Sequence, residues 1–195
     1  MLKGLLNGQT FLALGAGDRL QVVEVDPPSV GINHWSFELT RSRDHGTLAV
    51  WSRRWEAMAG DPTSAFNRST TVDYCATYWR RHDLVAIAGN AKAIIVSGAN
   101  GDLLSYYSLW FTEPSLDVLK IVESPDWSHL AVISTRRVIG LDSTGHAVWQ
   151  WDAEGFLKPE IDVSGDSILL REVETHHPRL PVAERRLTFQ TGLCS

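Results

Sequence analysis

The sequence predicts an all-β fold made of antiparallel meanders, and two observations carry that reading. Apolar and polar residues alternate with period two through short runs bounded by Gly, Pro, Asn, Asp and Ser, which is the mark of half-buried strands joined by tight turns. The same outline then returns at a nearly fixed interval. Leu84, Ile94 and the Asn100-Gly101 turn correspond to Leu130, Ile139 and the Thr144-Gly145 turn, at offsets of 46, 45 and 44 residues.

Each element follows from local sequence. Residues 11–26 (FLALGAGDRLQVVEVD) give a strand, a glycine turn and a second strand, and residues 35–51 (WSFELTRSRDHGTLAVW) repeat that outline. Residues 56–70 are rich in Gly, Pro, Ser and Thr, so a long loop is expected there. Residues 83–110 restore the strand pattern, and residues 112–120, with Pro114, predict a connector. Three strands are expected next, at 129–134, 138–142 and 147–151, with turns at Ser-Pro-Asp, Thr-Arg-Arg and Ser-Thr-Gly. Residues 162–174 repeat the turn-then-apolar-strand start of residues 124–134. No segment has the composition of a linker, so one domain over residues 1–195 is expected.

The 44-to-46-residue interval is the length of a four-stranded propeller blade. The stretch SPDWSHLAV (124–132) resembles the strand entry of WD-repeat and TolB-like propellers. The stretch VIGLDSTGHAVWQW (138–151) resembles repeats of quinoprotein-type propellers, in which glycine makes the turn and tryptophan sits between blades. The resemblance is clearest over residues 83–175 and implies a small or partial β-propeller-like domain. It departs from the WD pattern, with no regular Gly-His start and a single Trp-Asp blade end at Trp151-Asp152. The chain also carries no quinone-site or calcium-site motif, so no cofactor and no oxidoreductase activity are carried over. An array that does not close leaves sheet edges through which copies could self-associate.

Composition narrows the function classes. A chain of 195 residues with 44% hydrophobic and 21% charged residues can bury a core without metal or disulfide staples, and its two cysteines make no framework. The formal net charge of -5 argues against nucleic acid and anionic membranes as partners, since both require concentrated basic surface. No apolar run approaches the roughly 20 residues of a membrane span. The polar residues 7–10 interrupt the N-terminal apolar stretch and make a poor signal peptide, so a cytoplasmic location is expected.

Chemistry has few footholds. Glu172, Glu174 and His176 fall on one face of a continuing strand, which could bind a divalent metal or share a proton in a hydrolase. Metal sites usually draw ligands from several elements, and no second His cluster completes this one. Asp44-His45 sits before Gly46, where a hairpin turn needs polar residues anyway, and no Gly-x-Ser-x-Gly nucleophile motif occurs. Residues 15–20 join two strands instead of a strand and a helix, which excludes a phosphate loop. Arginine stacks on aromatics and forks onto carboxylates. Arg53, Arg54 and Trp55, and likewise Trp79, Arg80 and Arg81, are therefore the expected binding residues for another protein. The expectation is a non-catalytic protein-binding module, an inhibitor or immunity-type protein included, whose acidic balance suits a basic partner. Carbohydrate or small-ligand binding through exposed tryptophans is the other non-enzymatic alternative.

Overall fold

The structure is a computed structural model that describes residues 2–5, 10–15, 18–26, 35–44, 47–57, 73–89, 92–109, 118–158, 160–173 and 183–193. Its described strands form four antiparallel sheets. Sheet I pairs β2 (Thr10–Gly15), β3 (Asp18–Asp26), β4 (Trp35–Arg43) and β5 (Leu48–Ala57) in chain order. Sheet II pairs β6 (Asp73–Trp79), β7 (Leu84–Gly89), β8 (Lys92–Ser97) and β9 (Leu103–Ser108), and β1 (Leu2–Leu5) adds a strand beside β6. Sheet III pairs β10 (Val118–Glu123), β11 (Leu130–Ser134), β12 (Arg137–Leu141) and β13 (Ala147–Asp152). In sheet IV, β14 (Phe156–Leu157) and β15 (Asp162–Ser164) share one edge of β16 (Ser167–Val173), and β17 (Ala183–Thr188) takes the other.

The repeat read from the sequence is present in space. Leu84 and Leu130 open β7 and β11, Ile94 and Ile139 are each the third residue of β8 and β12, and Gly101 and Gly145 both hold positive φ, 74° and 84°. A further regularity lies in the outer strand pairs. Arg41 faces Trp51 but Ser42 faces Ala49, Ile95 faces Ser105 but Val96 faces Leu103, and Gly140 faces Trp149 but Leu141 faces Ala147. Each skip is a bulge, and the extra residues Val50, Leu104 and Val148 are all solvent-exposed. The connector expected over 112–120 gives way to β10 at Val118, because Ile121 and Val122 each fill a core on a different face of sheet III.

Three cores hold the sheets in a row. Leu20, Leu39 and Trp51 of sheet I meet Val85, Ile87 and Val96 of sheet II. The other face of sheet II brings Leu84, Ala86 and Ile95 against Ile121, Leu130, Val132 and Ile139. The far face of sheet III brings Ala131, Ile133 and Val138 against Ile168, Leu170, Leu187 and Phe189 of sheet IV. Sheet III is therefore apolar on both sides, which is why all five residues of β11 are buried and its alternation is hard to read from sequence. No core cluster among the described residues joins sheets I and IV. Their outward faces are polar. Thr40, Ser52 and Glu38 hydrogen-bond to one another on sheet I, and Arg171 pairs with Asp162 and Glu184 on sheet IV.

The turn between β12 and β13 needs glycine twice over. Gly145 has φ 84°, and a Cβ there would lie 2.8 Å from Ile95 Cγ2 in the neighbouring sheet. Gly165 also has positive φ, 56°, but a Cβ would meet nothing within 4 Å. Gly165→Ala is expected to lose only the left-handed backbone cost, about 1–2 kcal/mol. Gly145→Ala is expected to lose distinctly more, as read from the shift of urea midpoint in parallel denaturation curves.

Candidate functional site

In an antiparallel meander, successive connections alternate between the two ends of the strands. The first and third turns of each sheet therefore open on one face of the array. Contacts between sheets confirm it. Arg41 at the end of β4 donates through Nη2 to Asp18 Oδ2 in the β2–β3 turn (3.0 Å), and through Nη1 to the Gly98 carbonyl (2.6 Å) and to Asp83 Oδ1 (3.3 Å) in sheet II. Tyr78 donates its hydroxyl to the same Asp83 oxygen at 2.7 Å. Burial, and then that bond to Asp83, push the Tyr78 phenol above its ordinary range, so it stays a donor.

One accessible part of this face is built where sheets II and III meet. After β6 the chain makes a 3-10 turn, Arg80–His82, and Asp83 closes it in the left-handed region. Opposite stands the Ser124–His129 turn. Its Asp126 carboxylate accepts from the Ser124 hydroxyl (2.7 Å), the Ser128 hydroxyl (2.7 Å) and the Ser128 amide (3.0 Å). Those bonds hold the Asp126 carboxyl far below the usual carboxylate range. Trp127 lies at the apex with φ 64° and is 47% exposed. Two groups of sheet II brace it: His82 Nε2 donates to the Trp127 carbonyl (2.7 Å) and Arg81 Nη1 to the Asp126 carbonyl (3.2 Å). The result is an exposed indole beside the exposed residues Arg80 and Arg81 on a hydrogen-bonded platform.

Two turns on this face place an acid, a hydroxyl and an imidazole in sequence. Ser128 Oγ touches Asp126 and His129 Nδ1 (2.7 Å), and Thr144 Oγ1 touches Asp142 (2.6 Å) and His146 Nδ1 (2.8 Å). In both the hydroxyl proton is directed at the carboxylate, so the imidazole does not act as base toward it. The order is that of a braced turn and differs from the acid–imidazole–hydroxyl order of a nucleophilic triad. Partial burial opposes ionisation of Asp142, but bonds from the Thr144 hydroxyl and the His146 and Thr144 amides outweigh it and lower its pKa.

The expected binding residues scatter. Trp79 is a correction: it is 1% exposed, in the core between sheets II and III, with its ring edge-on to His82 at 4.4 Å between centroids. It is the last residue of β6, so the strand's inward direction governs it while the arginines after it belong to the turn. Arg80 and Arg81 are exposed on the turn face as described. Arg53 lies apart, on the outer strand of sheet I, paired with Asp102 at 3.5 Å. Arg54 and Trp55 belong to β5, but their side chains lie outside the described residues. Of the metal candidates, Glu172 is buried, its Oε1 accepting from the Gly155 amide (2.5 Å) and its Oε2 from Arg185 Nε (3.1 Å). Glu174 and His176 lie outside the described residues. Among the described residues no group of three or more His, Cys, Asp or Glu side chains is arranged to hold a metal ion. Sequence reasoning missed Trp127, although Ser-Pro-Asp before it marks a turn whose apex it must occupy.

No protein-family model matches the sequence, and no curated protein is similar to it at the sequence level. Solved structures are similar in fold. A 6-phosphogluconolactonase-like propeller from Bacteroides uniformis superposes on 94% of this chain with a TM-score of 0.54 and 12% identity. The four antiparallel sheets fit the blades of a partial propeller-like fold. The chain spans 54% of the length of that protein. BamB from Moraxella catarrhalis aligns over 99% of this chain and 73% of its own, with 12% identity and a TM-score of 0.48.

Because the folded-state pKa of Asp126 is depressed, its contribution to stability is full above the unfolded value, near 3.9, and is lost as pH falls through the folded value. Asp126→Asn is expected to lower the urea midpoint at pH 7. Below pH 3 its curve and the wild-type curve are expected to draw together, whereas a pH-independent gap would show that ionisation of Asp126 is not involved.

Proposed function

We propose that this chain is a non-catalytic protein-binding module that engages its partner through the turn face of blades II and III. One observation carries the proposal. Trp127 is held outward in a backbone conformation that costs an L-residue about 1–2 kcal/mol, and a neighbouring blade fixes it there. Strain at an exposed aromatic points to a use for the exposed ring, since a glycine would fit the same turn at lower cost. Tryptophan and arginine are also the residue types most enriched where binding energy concentrates.

The finer form of the proposal is inhibition of the partner, in the manner of an immunity-type protein. The net charge of -5 supports it, since complementary charge would speed capture of a basic enzyme. The test is a stoichiometric capture from lysate of the source cell with wild-type and Trp127→Gly proteins side by side. The variant is expected to keep or raise the melting temperature, because the φ strain is relieved, and to lose roughly 30-fold in affinity, the scale of a hot-spot residue. A variant that unfolds more easily yet binds as before would show that Trp127 only supports the turn. Assay of the captured protein with and without this chain then decides inhibition.

A further inference from the structure

We propose, resting on the turn face of blades II and III as the binding surface, that its occupant is an acidic segment of the partner. In that segment carboxylates flank an aromatic side chain, and Arg80 and Arg81 receive them beside Trp127. The sign is opposite to the one the whole chain suggests, since its formal net charge is -5. Contact charge is local, because exposed charges further apart than about 8 Å are largely screened at physiological salt. The turn Arg80–His82 consists of two arginines and a histidine and holds no acidic residue. Both arginines are exposed.

The acidic side chains at these two turns are engaged within the chain. Asp83 Oδ1 accepts from Tyr78 at 2.7 Å and from Arg41 Nη1 at 3.3 Å, and the Asp126 carboxylate accepts from Ser124 and Ser128. Glu123, which ends β10, accepts from Thr77 Oγ1 of blade II at 3.4 Å. Arg81 is set to receive a carboxylate. A guanidinium carries five N–H donors in a planar fork. Arg81 Nη1 gives one to the Asp126 carbonyl (3.2 Å), which holds the fork against the Trp127 turn and keeps further donors for a two-pronged grip on a carboxylate. The indole of Trp127, 47% exposed, offers a ring for offset or edge-on packing of another aromatic. An aromatic side chain between carboxylates thus satisfies ring and cations together. A basic segment would set like charges against Arg80 and Arg81 and be repelled at contact.

Random copolymers of glutamate with tyrosine and of lysine with tyrosine present the two signs of charge on one aromatic background. Each is immobilised, and binding of wild type, Arg80→Glu, Arg80→Gln and Trp127→Gly is read by biolayer interferometry at one salt concentration. The glutamate–tyrosine copolymer is expected to retain wild type. Arg80→Glu and Trp127→Gly are each expected to bind it about ten-fold more weakly, with Arg80→Gln between them and wild type. Melting temperatures check that the exposed substitutions leave the fold intact. The lysine–tyrosine copolymer attracts an acidic chain as a whole, so Trp127→Gly is expected to leave that binding unchanged. A glutamate–tyrosine copolymer that retains nothing, or retains all four proteins equally, would overturn the proposal. So would lysine–tyrosine binding that depends on Trp127. If Trp127→Gly nevertheless abolishes capture of the partner from lysate, the acidic occupant alone is overturned. Capture that Trp127→Gly leaves unchanged overturns the binding surface itself.

Discussion

Each blade is tied to the next by an aromatic ring on its outermost strand, which reaches into the last turn of its neighbour and hydrogen-bonds a backbone carbonyl there. Trp51 of blade I donates through Nε1 to the Gly98 carbonyl of blade II (2.8 Å), and Trp149 of blade III donates to the Phe189 carbonyl of blade IV (2.6 Å). Between blades II and III the donor is the Tyr107 hydroxyl, to the Gly145 carbonyl (2.8 Å), and the same hydroxyl accepts from the Ala147 amide. Trp51 and Trp149 hold the same register position, opposite Arg41 and Gly140, where blade II has Ser105. The ring there comes from two residues further along, on the same strand face, so the contact survives a change in the residue that makes it. Such a bond joins a large apolar surface to a polar anchor, which is what indole and phenol side chains supply better than other types.

That tie explains the demands placed on the turns. A Cβ at Gly101 would lie 2.6 Å from the Trp51 ring and one at Gly192 would lie 2.5 Å from the Trp149 ring, so each turn must pass close over the aromatic that clasps it. Gly140 answers to the same ring from beneath, since a Cβ there would overlap the Trp149 indole. Stability then follows the logic of a linear array. Each blade contributes its own pairing plus an interface to its neighbours. The hydrogen-bonded Glu38–Thr40–Ser52 group and the Arg171 ion pairs lie on the faces of blades I and IV turned away from these interfaces.

Legibility in the sequence followed burial geometry. The 44-to-46-residue interval and the turns at Gly101 and Gly145 could be read because turn chemistry is local and glycine at positive φ has few substitutes. The start of β10 could not, because a strand buried on both sides loses the alternation that announces a strand, and a nearby proline argued for a connector. Trp79 and Trp127 were indistinguishable by neighbours, since both adjoin charged residues. What separates them is that Trp79 ends a strand and inherits its inward direction, while Trp127 sits at a turn apex where no strand direction applies. The bulges at Val50, Leu104 and Val148 left no mark in composition, because a bulge is defined by the partner strand and becomes visible only with the register.

The geometry of Trp127 is a property of two blades together. Its own turn supplies the Asp126 cap, which orders the backbone but does not by itself require a left-handed apex. The carbonyls of Asp126 and Trp127 are directed toward blade II, where Arg81 and His82 donate to them. His82 can do so because its ring rests edge-on against Trp79, a side chain buried in the core between the same two blades. Burial of Trp79 thus fixes His82, His82 fixes the Trp127 carbonyl, and the indole is carried outward as a consequence. Surface display at this face therefore depends on the core beneath it. A change that loosens the blade II–III interface acts on Trp127 without touching it, through a chain of contacts whose every link is a named side chain.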